Sequence, residues 1–112
     1  MNVPRFYNLI PYKKCLSIVC DVNNEIRKYD AFKIKSYLVK VLKHIAHSQA
    51  ISIYPKSQKH QYKEALKWLY RAEMEIKGLN IPDKDKIKYK VELNEVRKLL
   101  IVLDKKVKME ED

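Results

Sequence analysis

Residues 31–48 read AFKIKSYLVKVLKHIAHS, and two stripes run through them at once. Ile34, Leu38, Val41, Leu42 and Ile45 recur at three- and four-residue spacing, the period that puts side chains on one face of an α-helix. On the same wheel Lys33, Ser36, Lys40, Lys43, His44 and His47 fall within an arc of about 100°, almost opposite the apolar face. A helix of this kind buries one stripe and leaves the other for water or a partner. Asp30 stands where it can cap the helix, and Pro55 ends the region.

The helical period extends on both sides. Upstream, Pro11 suits the first residue of a helix, where its missing N–H costs nothing, and Tyr12, Cys15, Leu16, Val19, Val22 and Ile26 form one stripe. Downstream, Ser57 is placed to cap a third helix whose inward face is Tyr62, Ala65, Leu66, Leu69 and Ile76. That helix stops at Gly78, the only glycine and so the residue best suited to a left-handed C-terminal cap. Pro82 and Asp83 open a fourth, with Tyr89, Leu93, Val96, Leu100, Leu103 and Val107 on its main face and an acidic tail at its end. One glycine and four prolines in 112 residues leave no punctuation for a multi-stranded sheet. These observations predict one all-α domain over residues 1–112, an antiparallel up-down-up-down four-helix bundle. Its helices are expected at about 11–29, 31–49, 57–77 and 83–108, with 109–112 as the tail.

Uncharged runs fall well short of the roughly 20 apolar residues that span a bilayer, and the first 11 residues show no small-residue cleavage site. A soluble, cytoplasmic protein with no membrane partner is expected. Cys15 and Cys20, five apart on one helix, point in different directions and read as two buried free thiols. The histidines sit among cations with no carboxylate nearby, so neither a metal nor a cofactor is expected.

Charge is segregated as strongly as hydropathy. The net charge is +10, and from Ala31 to Lys63 there is no aspartate or glutamate. That stretch carries Lys33, Lys35, Lys40, Lys43, Lys56, Lys59, Lys63 and all three histidines. Such a segment creates a field that attracts a polyanion, with RNA or DNA the first candidate. The third helix adds His60, Lys63, Lys67 and Arg71 along one flank, bordered by Tyr70 and Met74. Candidate phosphate contacts are therefore Lys33, Lys40, Lys43, His44, His47, His60, Lys63, Lys67 and Arg71. Lysine is a mobile point charge suited to phosphates and poor at reading base edges, so binding should be salt-sensitive and weakly sequence-specific. Arg71 and Arg97 can grip a phosphate or carboxylate with two parallel hydrogen bonds. Trp68 and Tyr70 suit either stacking on unpaired bases or a place in the core. A solvated helix face is the plain alternative for the whole stripe, and it is the segregation of sign that argues against it.

Glu73 falls among the core positions of the third helix, where an unpaired carboxylate is costly, and Arg97 is the candidate partner for a buried ion pair. On the fourth helix Ile87, Val91, Ile101 and Val102 make a second apolar patch that a homo-oligomer would cover; scattered surface aliphatics interrupted by Lys98 are the alternative. Catalysis is not expected. No serine or cysteine has a base and an oxyanion donor nearby, no glycine-rich loop exists, and no carboxylates cluster for metal-assisted hydrolysis.

The order of parts also resembles a known group. Phe6-Tyr7-Asn8-Leu9 leads into the first helix and Ile45-Ala46 comes late in the second. A third helix then opens Lys56-Ser57-Gln58-Lys59 and carries Glu73, and the fourth contains Glu95-Val96-Arg97-Lys98-Leu99-Leu100. This is similar to the small bacterial four-helix-bundle proteins encoded in intervening sequences of 23S ribosomal RNA genes and the related accessory variability determinant (Avd) proteins of diversity-generating retroelements. The ribosomal branch usually shows Asn-Ile-Ala-Glu-Gly where this chain has His44-Ile45-Ala46-His47-Ser48, a departure that favours the Avd side. The resemblance implies a bacterial or phage protein that forms a basic, barrel-shaped homopentamer and binds nucleic acid. It also implies association with a reverse transcriptase, supporting mutagenic cDNA synthesis from template RNA without catalysing it. Two alternatives stay open. One is a structural or interaction bundle of the ribosomal intervening-sequence type that docks on an acidic protein or RNA; the other is a small helical toxin, antitoxin or phage regulator.

Overall fold

Each of the four stretches with helical periodicity folds as a helix in the computed structural model, which describes residues 9–26 and 28–107. The elements are α1 (Ile10–Glu25), α2 (Lys28–Ala50), α3 (Pro55–Lys77) and α4 (Asp83–Lys106), with no strand among the described residues. Each packs on its two neighbours in the ring α1–α2–α3–α4, and α2 and α3 share the most extensive seam.

Polar ties across the seams show that neighbouring helices run antiparallel. Lys35 near the start of α2 donates to Asn23 near the end of α1 at 2.8 Å. Lys59 early in α3 donates to the Asp104 carbonyl late in α4 at 2.7 Å. Lys14 early in α1 meets Glu95 of α4 at 2.8 Å, while Glu25 late in α1 accepts from Lys88 at 3.0 Å. The result is an up-down-up-down four-helix bundle, the arrangement that buries four single stripes with short connections.

The core runs the length of the bundle: Cys15, Ile18, Val22 and Ile26 from α1 and its end, Ala31, Ile34, Leu38, Val41, Leu42 and Ile45 from α2. From α3 come Tyr62, Ala65, Leu69, Ala72 and Ile76, and from α4 Tyr89, Leu93, Val96 and Leu100. Burying one such leucine or isoleucine contributes about 1.5–3 kcal/mol. The two enclosed tyrosines keep their hydroxyls satisfied. Gln49 donates to Tyr62 at 3.2 Å, and Tyr89 donates to Glu25.

Several local expectations need correction. On α1 the buried stripe passes through Ile18, while Leu16 is exposed; stepping from Cys15 by three and then four residues reaches Ile18 and Val22. Pro11 is the second residue of its helix, after Ile10. The second helix starts at Lys28, so Asp30 stands within its first turn rather than before it, and the Asp30 side chain lies outside the described residues. Ser57 caps nothing, because Pro55, with φ fixed by its ring, already begins α3. Gly78 is right-handed, at φ −83° and ψ −5°. Its N–H bonds to the Met74 and Glu75 carbonyls, and Lys86 caps the Lys77 carbonyl at 3.0 Å, so this helix end needs no left-handed residue. Cys20 is exposed, and only Cys15 is buried. Phe6, Tyr7 and Asn8 of the resemblance, and the tail over 109–112, lie outside the described residues.

Candidate nucleic-acid interface

Basic residues of α2 and α3 meet at several points along their shared seam, and antiparallel packing decides which of them do. At one end Lys33 reaches Glu75 at 3.4 Å. Midway, Lys40 of α2 lies opposite Trp68 of α3; towards the connection His44 Nδ1–H donates to Gln61 Oε1 at 2.6 Å. Beside the connection, His47 and His60 share the lining of a shallow cavity of about 360 Å³ with Ile51, Lys56, Ser57 and Gln61. From Lys33 to His47 the helical rise is about 21 Å, enough to follow several phosphates.

Trp68 is the centre of the seam. Its ring is half-buried and stacks on Tyr37 with centroids 5.7 Å apart. Lys40 Nζ lies 3.9 Å from the ring centroid, the Arg71 guanidinium carbon 4.6 Å and Lys67 Nζ 5.4 Å. Each such contact contributes about 0.5–1 kcal/mol at an exposed site, and together they hold three like charges in one place. All three are thereby within a Debye length of one another, about 10 Å at 0.1 M salt. Tyr70, the other aromatic singled out from the sequence, points away from this cluster into a groove between α3 and α4.

Acidic partners absent from residues 31–63 arrive from elsewhere in the fold. Glu75 pairs with Lys33, Asp104 with Lys59, and Glu64 with both His60 at 3.8 Å and Lys67 at 3.6 Å. The segment is acid-free in sequence but not in space, and Lys33, Lys59 and, in part, Lys67 are locally compensated. Lys40, Lys43, Lys63 and Arg71 make no ion pair among the described residues. Lys43, His47, His60, Lys63 and Arg71 are exposed; Lys40 and His44 are half-buried.

Glu73 is half-buried and ion-paired with Arg97 of α4, which also donates to Asn94 at 3.3 Å. Arg97 is thus committed to a structural pair, and among the described residues Arg71 is the guanidinium on the basic face. Ile87, Val91, Ile101 and Val102 are all exposed on α4. Ile87 also lines the α3–α4 groove of about 240 Å³, together with Tyr70, Met74 and Leu93 and a rim of Lys77, Lys86 and Lys90. No group of three or more His, Cys, Asp or Glu among the described residues is placed to hold a metal ion. No helix among them is long and apolar enough to cross a membrane.

Away from the seam, perturbed acids mark structural ties. Hydrogen bonds from Tyr89 and Lys88 hold the Glu25 carboxyl below its ordinary range, and Lys14 does the same for Glu95. Burial pushes Glu92 in the opposite direction.

The role of Trp68 was only half legible. Arg71 three residues on is a helical neighbour that spacing reveals, but Lys40 comes from another helix, and its register against Trp68 depends on the length of the α2–α3 connection. Tyr37 was missed altogether, because an aromatic beside a core stripe carries no distinguishing signal.

No protein-family model matches the chain, and neither a curated protein nor a solved structure matches it.

Proposed function

We propose that this chain is a non-catalytic, nucleic-acid-binding accessory subunit of a reverse transcriptase, of the kind that supports mutagenic cDNA synthesis in diversity-generating retroelements. The observation that carries nucleic-acid binding is the convergence of Lys40, Lys67 and Arg71 on Trp68, with Lys43 and Lys63 exposed on the same two helices. Cations drawn from two helices onto one ridge suit a phosphate chain, and lysine's lack of a fixed donor geometry makes contact with RNA or DNA electrostatic. The polymerase partner and the retroelement setting rest on the resemblance to Avd proteins in the order of parts along the chain. The reading includes a homo-oligomer, with a pentamer implied by that resemblance, in which Ile87, Val91, Ile101 and Val102 are covered.

A variant with Lys40, Lys43, Lys63 and Lys67 all replaced by glutamate tests nucleic-acid binding. It is expected to lose affinity for single-stranded RNA while its helical circular dichroism persists; unchanged affinity would reject the reading. A second reading is favoured by the α3–α4 groove, whose apolar lining and lysine rim suit an acidic amphipathic segment of a protein partner. In that case the bundle is an interaction module and the seam lysines only steer encounter. Heparin or single-stranded RNA would then fail to compete with the partner.

A further inference from the structure

We infer that Trp68 gathers Lys40, Lys67 and Arg71 into a discrete phosphate clamp, so that the basic face holds one organised anion site rather than a uniform film of charge. The inference rests on the nucleic-acid reading above and names the group recognised: a phosphate of the backbone or of a polyphosphate, not a base.

Geometry selects that ligand. Arg71 lies 4.6 Å and Lys40 3.9 Å from one ring centroid, and the ring quadrupole favours both positions without neutralising either charge. Lys67, at 5.4 Å, is shared with Glu64, the acidic side chain that pairs with the trio among the described residues. Three cations held this close repel one another, and an anion with several charged oxygens relieves all three repulsions together. A phosphate offers such oxygens in three dimensions. A lone carboxylate presents two in one plane, which a guanidinium fork alone satisfies. A base seeking the indole competes with Tyr37, Lys40 and Arg71, all already against it. The ring thus acts as a platform for cations, and Trp68 is a positioning residue.

Two charge-conserving substitutions separate a clamp from a film. Trp68→Leu removes the platform and Arg71→Lys removes the planar group, yet neither changes the net charge. Arg71 is exposed, so its variant keeps the fold even if loss of Trp68 does not. The probes are inorganic tripolyphosphate and a labelled single-stranded oligothymidylate, both at fixed ionic strength. Because Trp68 is the only tryptophan, its emission in the wild-type chain reports directly on the site. The clamp predicts a saturable change in Trp68 emission with tripolyphosphate. It also predicts about a tenfold loss of oligonucleotide affinity in Trp68→Leu, because cations no longer held on the ring must be ordered when the anion binds. Arg71→Lys should lose about threefold, and Trp68→Phe should retain most of the affinity. Oligonucleotide binding that is unchanged in both charge-conserving variants would overturn the clamp and leave the nucleic-acid reading standing. Saturable tripolyphosphate binding at Trp68 without oligonucleotide binding would support the clamp and overturn that reading. If neither probe binds the wild-type chain, both are overturned.

Discussion

Cys15 and Cys20 stand five residues apart on α1 in opposite surroundings. Cys15 is enclosed, its thiol donates weakly to the Leu38 carbonyl at 3.7 Å, and burial pushes it up to about 12. Cys20 faces solvent. A thiolate is the reactive species, so a maleimide at neutral pH should label the native chain once, at Cys20, and twice after denaturation. Mass spectrometry of the labelled protein checks this, and modification of native Cys15 would contradict the packing. Free cysteine's habit of behaving as a small hydrophobe suggests two buried thiols, but a five-residue step turns the helix by about 140°, and only Cys15 faces inward. Trp68 shows the same limit from the other side. Its neighbours on α3 are fixed by helical spacing, but the cation nearest its ring belongs to α2, and only packing supplies it.

At the scale of elements, the apolar faces of α2, α3 and α4 were legible because a three-and-four repeat of Ile, Leu and Val has one reading on a helix. Ends were less so. Pro55 rather than Ser57 begins α3 and α2 starts at Lys28, ahead of Asp30, whereas α3 does stop at Gly78 and α4 does open after Pro82; what differs at Gly78 is its right-handed backbone. The α1–α4 seam depends on ionised carboxylates, and this gives it a pH dependence. The folded state holds Glu25 low chiefly through the Tyr89 hydroxyl and then Lys88, and Glu95 low through Lys14. A carboxylate depressed on folding contributes stability that is present above its unfolded value and is lost as pH falls through the folded one. Glu92 works the other way, since burial raises it and protonation relieves that cost. The part of the stability that Glu25 and Glu95 contribute should therefore be lost, lowering the thermal midpoint, as pH drops below the ordinary glutamate value of 4.5. Glu25→Gln should flatten that fall, as followed by circular dichroism melts. An acid limb of the same steepness in the variant would show that this seam does not carry the effect.

The whole molecule presents two surfaces that a lone bundle leaves open: the cationic α2–α3 seam and the apolar positions on α4. The first was visible in the sequence as an acid-free segment, although Glu64, Glu75 and Asp104 compensate part of it from across the bundle. The second was visible as a wheel pattern, and all four of its residues are exposed on the single chain. If copies of the chain cover that patch, sedimentation at micromolar concentration should give a multimer, and Val91→Glu with Ile101→Glu should reduce it to monomer. A wild-type monomer would count against the oligomer.

Ligand binding at the seam is the step on which the functional reading depends, and counterion release measures it most directly. Affinity of the wild-type chain for a single-stranded oligonucleotide, taken across a range of salt, should fall on a log–log plot with a slope of roughly −3, as for about four neutralised phosphates. The same plot for the variant with glutamate at positions 40, 43, 63 and 67 should show no measurable binding. A wild-type affinity that does not change with salt would mean that the lysines along α2 and α3 do not hold a phosphate chain.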